Sequence, residues 1–210
     1  MLERFVDDAG RVDYAGLARD RTDLDRFVAW VLDTGFERQG LAYHLNAYNA
    51  LAMYSVLDRG VPDSLDGLEK LRFFVLRRFA FRDRELSLYA YENDVIRPLG
   101  EERVHFALNC MAAHCPRLPR APFRAETLQA ELERETRRFV DEPRNVRVDP
   151  AARTVHLSEI FRFYTEDFLA KAPSLVAYVN RWRRDPVPED LRVAFIPYDW
   201  SVNRQSSLPP

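Results

Sequence analysis

Long hydrophobic runs are missing from this 210-residue chain. No apolar stretch approaches the ~18 residues needed to cross a bilayer, so no transmembrane segment is expected. An excess of charge is missing too: 31 basic against 33 acidic residues leave a net charge of −2. Without a basic footprint the chain is not expected to bind nucleic acid. Cysteine occurs only twice, too rarely for a disulfide scaffold. Lysine is nearly absent, Lys70 and Lys171 being the two present, which leaves 29 of the 31 basic residues as arginine. Arginine forms planar, bidentate pairs with carboxylates, although codon usage in a GC-rich genome explains the bias equally simply. Residues 1–10 lack the basic and apolar regions of a secretory signal. A chain complete at its N-terminus would be cytoplasmic; one that had lost a signal would be periplasmic or secreted.

What is present is enough apolar material for a core. Hydrophobic residues make up 47% of the chain, which excludes wholesale disorder. Residues 2–31 read as short helices, with Phe27, Trp30 and Val31 at helical spacing. Residues 41–57 form a helix apolar nearly all round, the mark of a central, buried element, and Gly60 stands where a C-terminal cap belongs. A turn follows at 61–64, with Ser64 placed to cap a helix running through Lys70. Phe79 and Phe81, the polar turn Arg82-Asp83-Arg84, then Leu86 and Leu88 describe a hairpin. Residues 87–96 are a helix ended by Pro98 and Gly100. Residues 104–110 fit either strand or helix, and the i, i+4 spacing of His105 and Asn109 favours helix. Three prolines at 116, 119 and 122 make the next stretch a loop.

Farther on, 126–139 is an amphipathic helix with Leu128, Leu132 and Phe139 inward, 146–157 a short hairpin, and Ser158 the cap of a helix over 160–169. A helix at 174–183 and a strand at 193–197 complete the pattern, and 206–210 is expected to be a disordered tail. The expectation is α+β: one mostly helical domain over residues 1–205 with short β-hairpins or a small antiparallel sheet.

The densest set of reactive side chains is His105, Asn109, Cys110, His114 and Cys115. Three readings compete for it. In the first, Cys115, in a loop and so more accessible than Cys110, is a thiolate nucleophile with His105 as base. In the second the group binds zinc, but the spacing matches no zinc pattern, and adjacent His114 and Cys115 cannot easily reach one tetrahedral ion. In the third the cysteines are inert, buried hydrophobes, or they pair as a disulfide. Glu92 lies beside an apolar helix face and needs a partner; Arg97, at i+5, matches it poorly. Asn46 and Asn49 share one side of the buried helix at i, i+3. Their amides either clamp the backbone of a neighbouring loop or line a pocket wall. His44 points away from Asn46 and reads as structural.

Tyr43-His44-Leu45-Asn46-Ala47-Tyr48-Asn49-Ala50-Leu51 is similar to one sequence block, and Leu86-Ser87-Leu88 through Glu92, Asn93 and Arg97 to another, of the DUF547 family of unknown function. His105-Phe106-Ala107-Leu108-Asn109-Cys110 with Cys115-Pro116 resembles a third, and Leu157-Ser158-Glu159-Ile160-Phe161 with Tyr164 and Asp167-Phe168 a fourth. Arg11-Val12-Asp13-Tyr14 fits the family's opening and Tyr198-Asp199-Trp200 with Asn203 its close. The resemblance places Asn46, Asn49, Glu92, His105, Cys110 and Cys115 inside family motifs. His44 stands in place of the usual tryptophan and Asn93 in place of the usual histidine. His114 is not a motif position. Bacterial members are often exported.

The resulting expectation is a thiol-dependent hydrolase or acyltransferase of cysteine-peptidase or transglutaminase-like logic, acting on an amide or isopeptide without a cofactor or metal. Cys115 would be the nucleophile, His105 the base and Glu92 the orienting carboxylate. Asn46, Asn49, Asn109, Cys110 and Arg97 would contact substrate, with Cys110 able to act as a resolving thiol. The alternatives are a non-catalytic binding or scaffold module, in which the Asn/Glu/His cluster is a structural network and function lies in the 115–122 loop or surface arginines, and a zinc-binding protein. The substrate or protein partner is not legible.

Overall fold

The computed structural model describes residues 1–37, 39–82 and 84–205. Asp83 of the expected hairpin turn and the 206–210 tail lie outside them. The architecture is α+β and mostly helical, and the chain divides into two compact units. The first comprises Met1–Leu99, Leu108–Leu128 and the chain from Asp199 on; the second comprises Gly100–Ala107 and Gln129–Tyr198. Among the described residues no helix is long and apolar enough to cross a membrane.

The first unit is built on α4 (Leu41–Asp58). Its apolar residues face nearly every direction, and Leu45, Ala47, Leu51, Ala52 and Val56 are fully buried. The helix stops in a paired-bond cap. Val61 N–H donates to the Val56 carbonyl (2.9 Å) and Gly60 N–H to the Leu57 carbonyl (3.0 Å), with Gly60 at φ +71. Three helices precede it: α1 (Leu2–Phe5), α2 (Tyr14–Arg19) and α3 (Thr22–Thr34), the last packing on α4. The buried stripe of α3 is Leu24, Val28 and Val31. Trp30, one position off that stripe, is half exposed rather than in the core, and its ring edges against Tyr43.

After α4 come α5 (Leu68–Leu71), widening into a π-turn over Arg72–Leu76, the antiparallel pair β1 (Phe79–Ala80) and β2 (Glu85–Leu86), and α6 (Leu88–Ala90), which widens over Tyr91–Ile96. Ser64 does not cap α5. Its hydroxyl donates to the Trp200 carbonyl (3.2 Å), and the helix opens after Gly67 instead.

The second unit holds a 3₁₀ turn (Glu102–Phe106), α7 (Leu128–Asp141, of which all but Leu128 belongs here), β3 (Val146–Asp149), β4 (Thr154–Ser158), α8 (Glu159–Phe163), α9 (Thr165–Leu169), α10 (Leu175–Asn180) and β5 (Arg192–Ile196). The hairpin β3–β4 is antiparallel, and β5 joins β4 in parallel register, Val155 opposite Val193. Phe106, Phe139, Phe161, Phe168 and Tyr178 pack together as the aromatic centre of this unit. The helix expected over 160–169 is broken at Tyr164, which leaves helical geometry (φ −121, ψ 32) and lays its ring on the His105 imidazole.

Candidate functional site

Two turns of α4 present Asn46 and Asn49 on one side, as their i, i+3 spacing requires. Asn46 uses both ends of its amide on a single residue. Nδ2 donates to the Phe123 carbonyl (2.8 Å), and Oδ1 accepts from Phe123 N–H (2.9 Å). Asn49 Oδ1 accepts from the backbone N–H of Asn109 (2.7 Å). Asn109 in turn donates Nδ2 to the Pro116 carbonyl (2.6 Å) and accepts at Oδ1 from Met111 N–H (2.7 Å). On the other side of the loop, Asn203 N–H donates to the Met111 carbonyl (2.9 Å), while its Oδ1 accepts from the buried Tyr14 hydroxyl (2.8 Å). The loop 108–124 is therefore stitched down by asparagine amides.

The same bonds explain why 104–110 is not one helix. The turn ends at Phe106, and Asn49 and Asn109 occupy the N–H groups that further helical turns would need. Met111, pinned at its N–H and carbonyl, sits at φ +65, a left-handed conformation unfavourable for a side chain of its size.

Cys110 and Cys115 form a disulfide across this turn, their Cα atoms 6.3 Å apart. Cys115 is 3% exposed and Cys110 partly exposed, the reverse of the accessibility that the adjoining proline suggests. The cause is the fold-back of the loop: Cys115 N–H donates to the Ala112 carbonyl (3.1 Å), and the next carbonyl is held by Asn109. The N–H of Cys110 points at Cys115 Sγ (3.0 Å). While the sulfurs are joined, neither is a thiolate nucleophile or a metal ligand. Among the described residues no group of three or more His, Cys, Asp or Glu is placed to hold a metal ion.

Glu92, 7% exposed, accepts from the Tyr48 hydroxyl (3.1 Å) within the first unit. Arg97 donates to Asn93 Oδ1 (2.7 Å). His44 is buried, its Nδ1 3.0 Å from the Tyr91 hydroxyl; burial holds the imidazole below its usual range against an opposing backbone hydrogen bond with Gln39. His114 Nδ1 accepts from Asp199 N–H (3.0 Å), and the Asp199 carboxyl is lowered, first by its bond to Ser201.

His105 belongs to the second unit, where Nε2 lies 2.7 Å from Asp167 Oδ2. A carboxylate only accepts, so the proton is on Nε2. The ring stacks on Tyr164 (3.7 Å between centroids) and meets the edge of Phe168. Asp167 was not singled out from the sequence; its place in the same family block as Tyr164 was the available signal. Tyr14 and Asn203, at the two ends of the chain, carried a similar one.

A cavity of about 430 Å³ lies wholly within the first unit. Leu2 of α1, Phe27 of α3, Ala50 and Met53 of α4, and Leu118 and Pro122 of the loop give it mostly apolar walls. Asn46 and Asn49 also face it, with their amide groups already engaged by the loop backbone. Arg120, an exposed residue that also lines the cavity, donates to the Asp8 carboxylate (2.8 Å) and the Glu3 carbonyl (3.0 Å).

A family model described as a protein of unknown function, DUF547, matches residues 33–140, just over half of the chain. No curated protein and no solved structure matches it.

Proposed function

Since this chain belongs to the DUF547 family, whose description supplies no activity, we propose from the geometry of its first unit that it is a binding module whose working part is the 108–124 loop and the cavity behind it. One observation carries this reading: the amides of Asn46, Asn49 and Asn109 are hydrogen-bonded to the backbone of that loop. Polar side chains engaged in this way position a surface. A ligand would enter an apolar space and receive its polar contacts from the exposed lining residues Arg120 and Arg124.

The test uses the oxidised protein and the probe 8-anilinonaphthalene-1-sulfonate, which pairs an apolar body with one anionic group. Saturable fluorescence enhancement that Ala50→Leu and Met53→Phe both weaken, at unchanged far-UV circular dichroism, supports the reading. Enhancement indifferent to both substitutions overturns it.

A second reading has its own support. The pair His105–Asp167 has the base-and-orienter geometry of a nucleophile-activating imidazole. A thiol-dependent hydrolase or acyltransferase with Cys115 as nucleophile would require the reduced form of the loop. Acylation of Cys115 by p-nitrophenyl acetate after reduction would establish it. Failure of reduced Cys115 to react faster than a free cysteine at pH 6 would remove it.

A further inference from the structure

We infer that the Cys110–Cys115 pair is a reversible thiol–disulfide exchange site, that Cys110 Sγ is the atom attacked, and that its reaction partner is a small or protein-borne dithiol. Three features of the loop lead there. The two sulfurs are unequal: Cys110 is partly exposed, whereas Cys115 is 3% exposed, so an incoming thiolate reaches Cys110 first. The Cys115 sulfur is provided for as a leaving group. The Cys110 N–H directed at it from 3.0 Å donates to the negative charge that develops there. Finally, the loop does not depend on the sulfur bond for its course. Asn109 holds Met111 on one side and Pro116 on the other, Asn49 holds Asn109, and Asn203 holds the Met111 carbonyl. With those clamps in place the cysteine backbones stay near their 6.3 Å separation after reduction, and the two thiols remain in reach of each other.

The exchange balances as follows. A thiolate of the dithiol attacks Cys110 Sγ; the Cys110–Cys115 bond breaks, and Cys115 leaves as the thiolate held by the Cys110 N–H. The second thiol of the partner, deprotonated, attacks its own sulfur in the mixed disulfide and releases Cys110 as thiolate, which takes up a proton. The partner departs as an internal disulfide, two electrons having passed to the cysteine pair. The reverse sequence reoxidises the loop. This chemistry stands on the sulfur geometry alone and holds whether or not the cavity behind the loop takes a ligand.

The experiment pulses the oxidised full chain briefly with glutathione, a monothiol that completes the second step only through a second molecule, so the mixed disulfide can be trapped. It is quenched with acid and the free thiol alkylated with N-ethylmaleimide, and both adducts are located by fragmentation of the peptide containing the two cysteines. The expected product carries glutathione on Cys110 and maleimide on Cys115. Glutathione on Cys115 in equal or greater yield, or no adduct at all until denaturant is added, overturns the inference. The clamps are tested by equilibrating the reduced and oxidised forms against a glutathione buffer. In Asn109→Ala the effective concentration of one thiol at the other is expected to fall about tenfold, and an unchanged value in a folded variant overturns their role. Should that variant not fold, Asn49→Ala, which loosens the same clamp one step away, gives the same comparison.

Discussion

The two units of this chain differ in what holds their centres, although the second also clamps backbone with an amide, Asn180 bonding both the N–H and the carbonyl of Val187. In the first, buried or half-buried asparagines bind backbone: Asn46 grips Phe123, Asn49 grips Asn109, and Asn109 grips Pro116 and Met111. In the second, the centre is side chain against side chain, Phe106, Phe139, Phe161, Phe168 and Tyr178, with His105 laid between Tyr164 and Phe168 and bonded to Asp167. Aromatic packing fixes helices and a small sheet, which have their own backbone bonds. A loop with three prolines has few such bonds and needs side chains to supply them. The family motifs of the first unit are therefore read most simply as the means of holding a loop.

Cutting a ring out of the second unit should give the largest effect. Phe168 is fully buried among Phe106, Phe161 and Tyr178. Phe168→Ala is expected to destabilise by about 3–5 kcal/mol, a Tm drop on the order of 10 °C for a chain of this size. The loss should appear equally by calorimetry and by near-UV dichroism. A loss under ~1 kcal/mol would mean that the ring cluster is not the structural centre of its unit.

Removing one amide from the first unit should cost less in total and more locally. Asn46→Ala leaves the N–H and carbonyl of Phe123, a residue 5% exposed, without their partner. At about 1–3 kcal/mol for each of the two polar groups left unsatisfied the loss is at most roughly 6 kcal/mol, and water reaching the site brings it to roughly 2–4 kcal/mol. Trypsin should then cut after Arg117, Arg120 or Arg124 far faster than in the parent protein, while amides of the β3–β4 hairpin keep their exchange protection. Loss of protection in both places to the same extent would erase the contrast between the units.

How far the sequence announced these features depended on the range over which each is determined. Helix α4, the Gly60 cap, the β1–β2 and β3–β4 hairpins and the inward face of α7 follow from periodicity and turn chemistry within a few residues. The loop-clamping role of Asn46 and Asn49 was also legible, because an amide in so apolar a helix has to be satisfied. Features set at long range were not. The Asn49 bond to Asn109, sixty positions away, decides that 104–110 is not helical throughout. Ser64 Oγ accepts from Asp66 N–H, and α5 begins only after Gly67, so the serine closes a turn rather than capping the helix. The fold-back that buries Cys115 and exposes Cys110 depends on Asn109, whose side-chain direction no periodicity fixes. Asp167 meets His105 across 62 residues, from a different family block, and no spacing within either block announced the pairing.

The smallest effect sharpens the comparison by pH. His44, in the first unit, is the buried imidazole whose proton affinity is lowered by burial, and it stands beside the Tyr91 hydroxyl and the edge of the Tyr43 ring. The folded chain binds its proton less readily than the unfolded chain, which protonates it below the ordinary imidazole value of about 6.5. Its contribution is therefore complete above that value and declines as pH falls, because the unfolded state binds the proton more tightly than the folded state does. Urea midpoints measured at intervals from pH 7.5 to 5 should fall more steeply for the parent than for His44→Gln, whose side chain does not titrate. Carboxylates elsewhere contribute equally to both proteins, so the difference between the two curves isolates His44. Parallel curves would mean that the ring accepts its proton in the folded state as readily as in water, and that the apolar surroundings of α4 do not reach it.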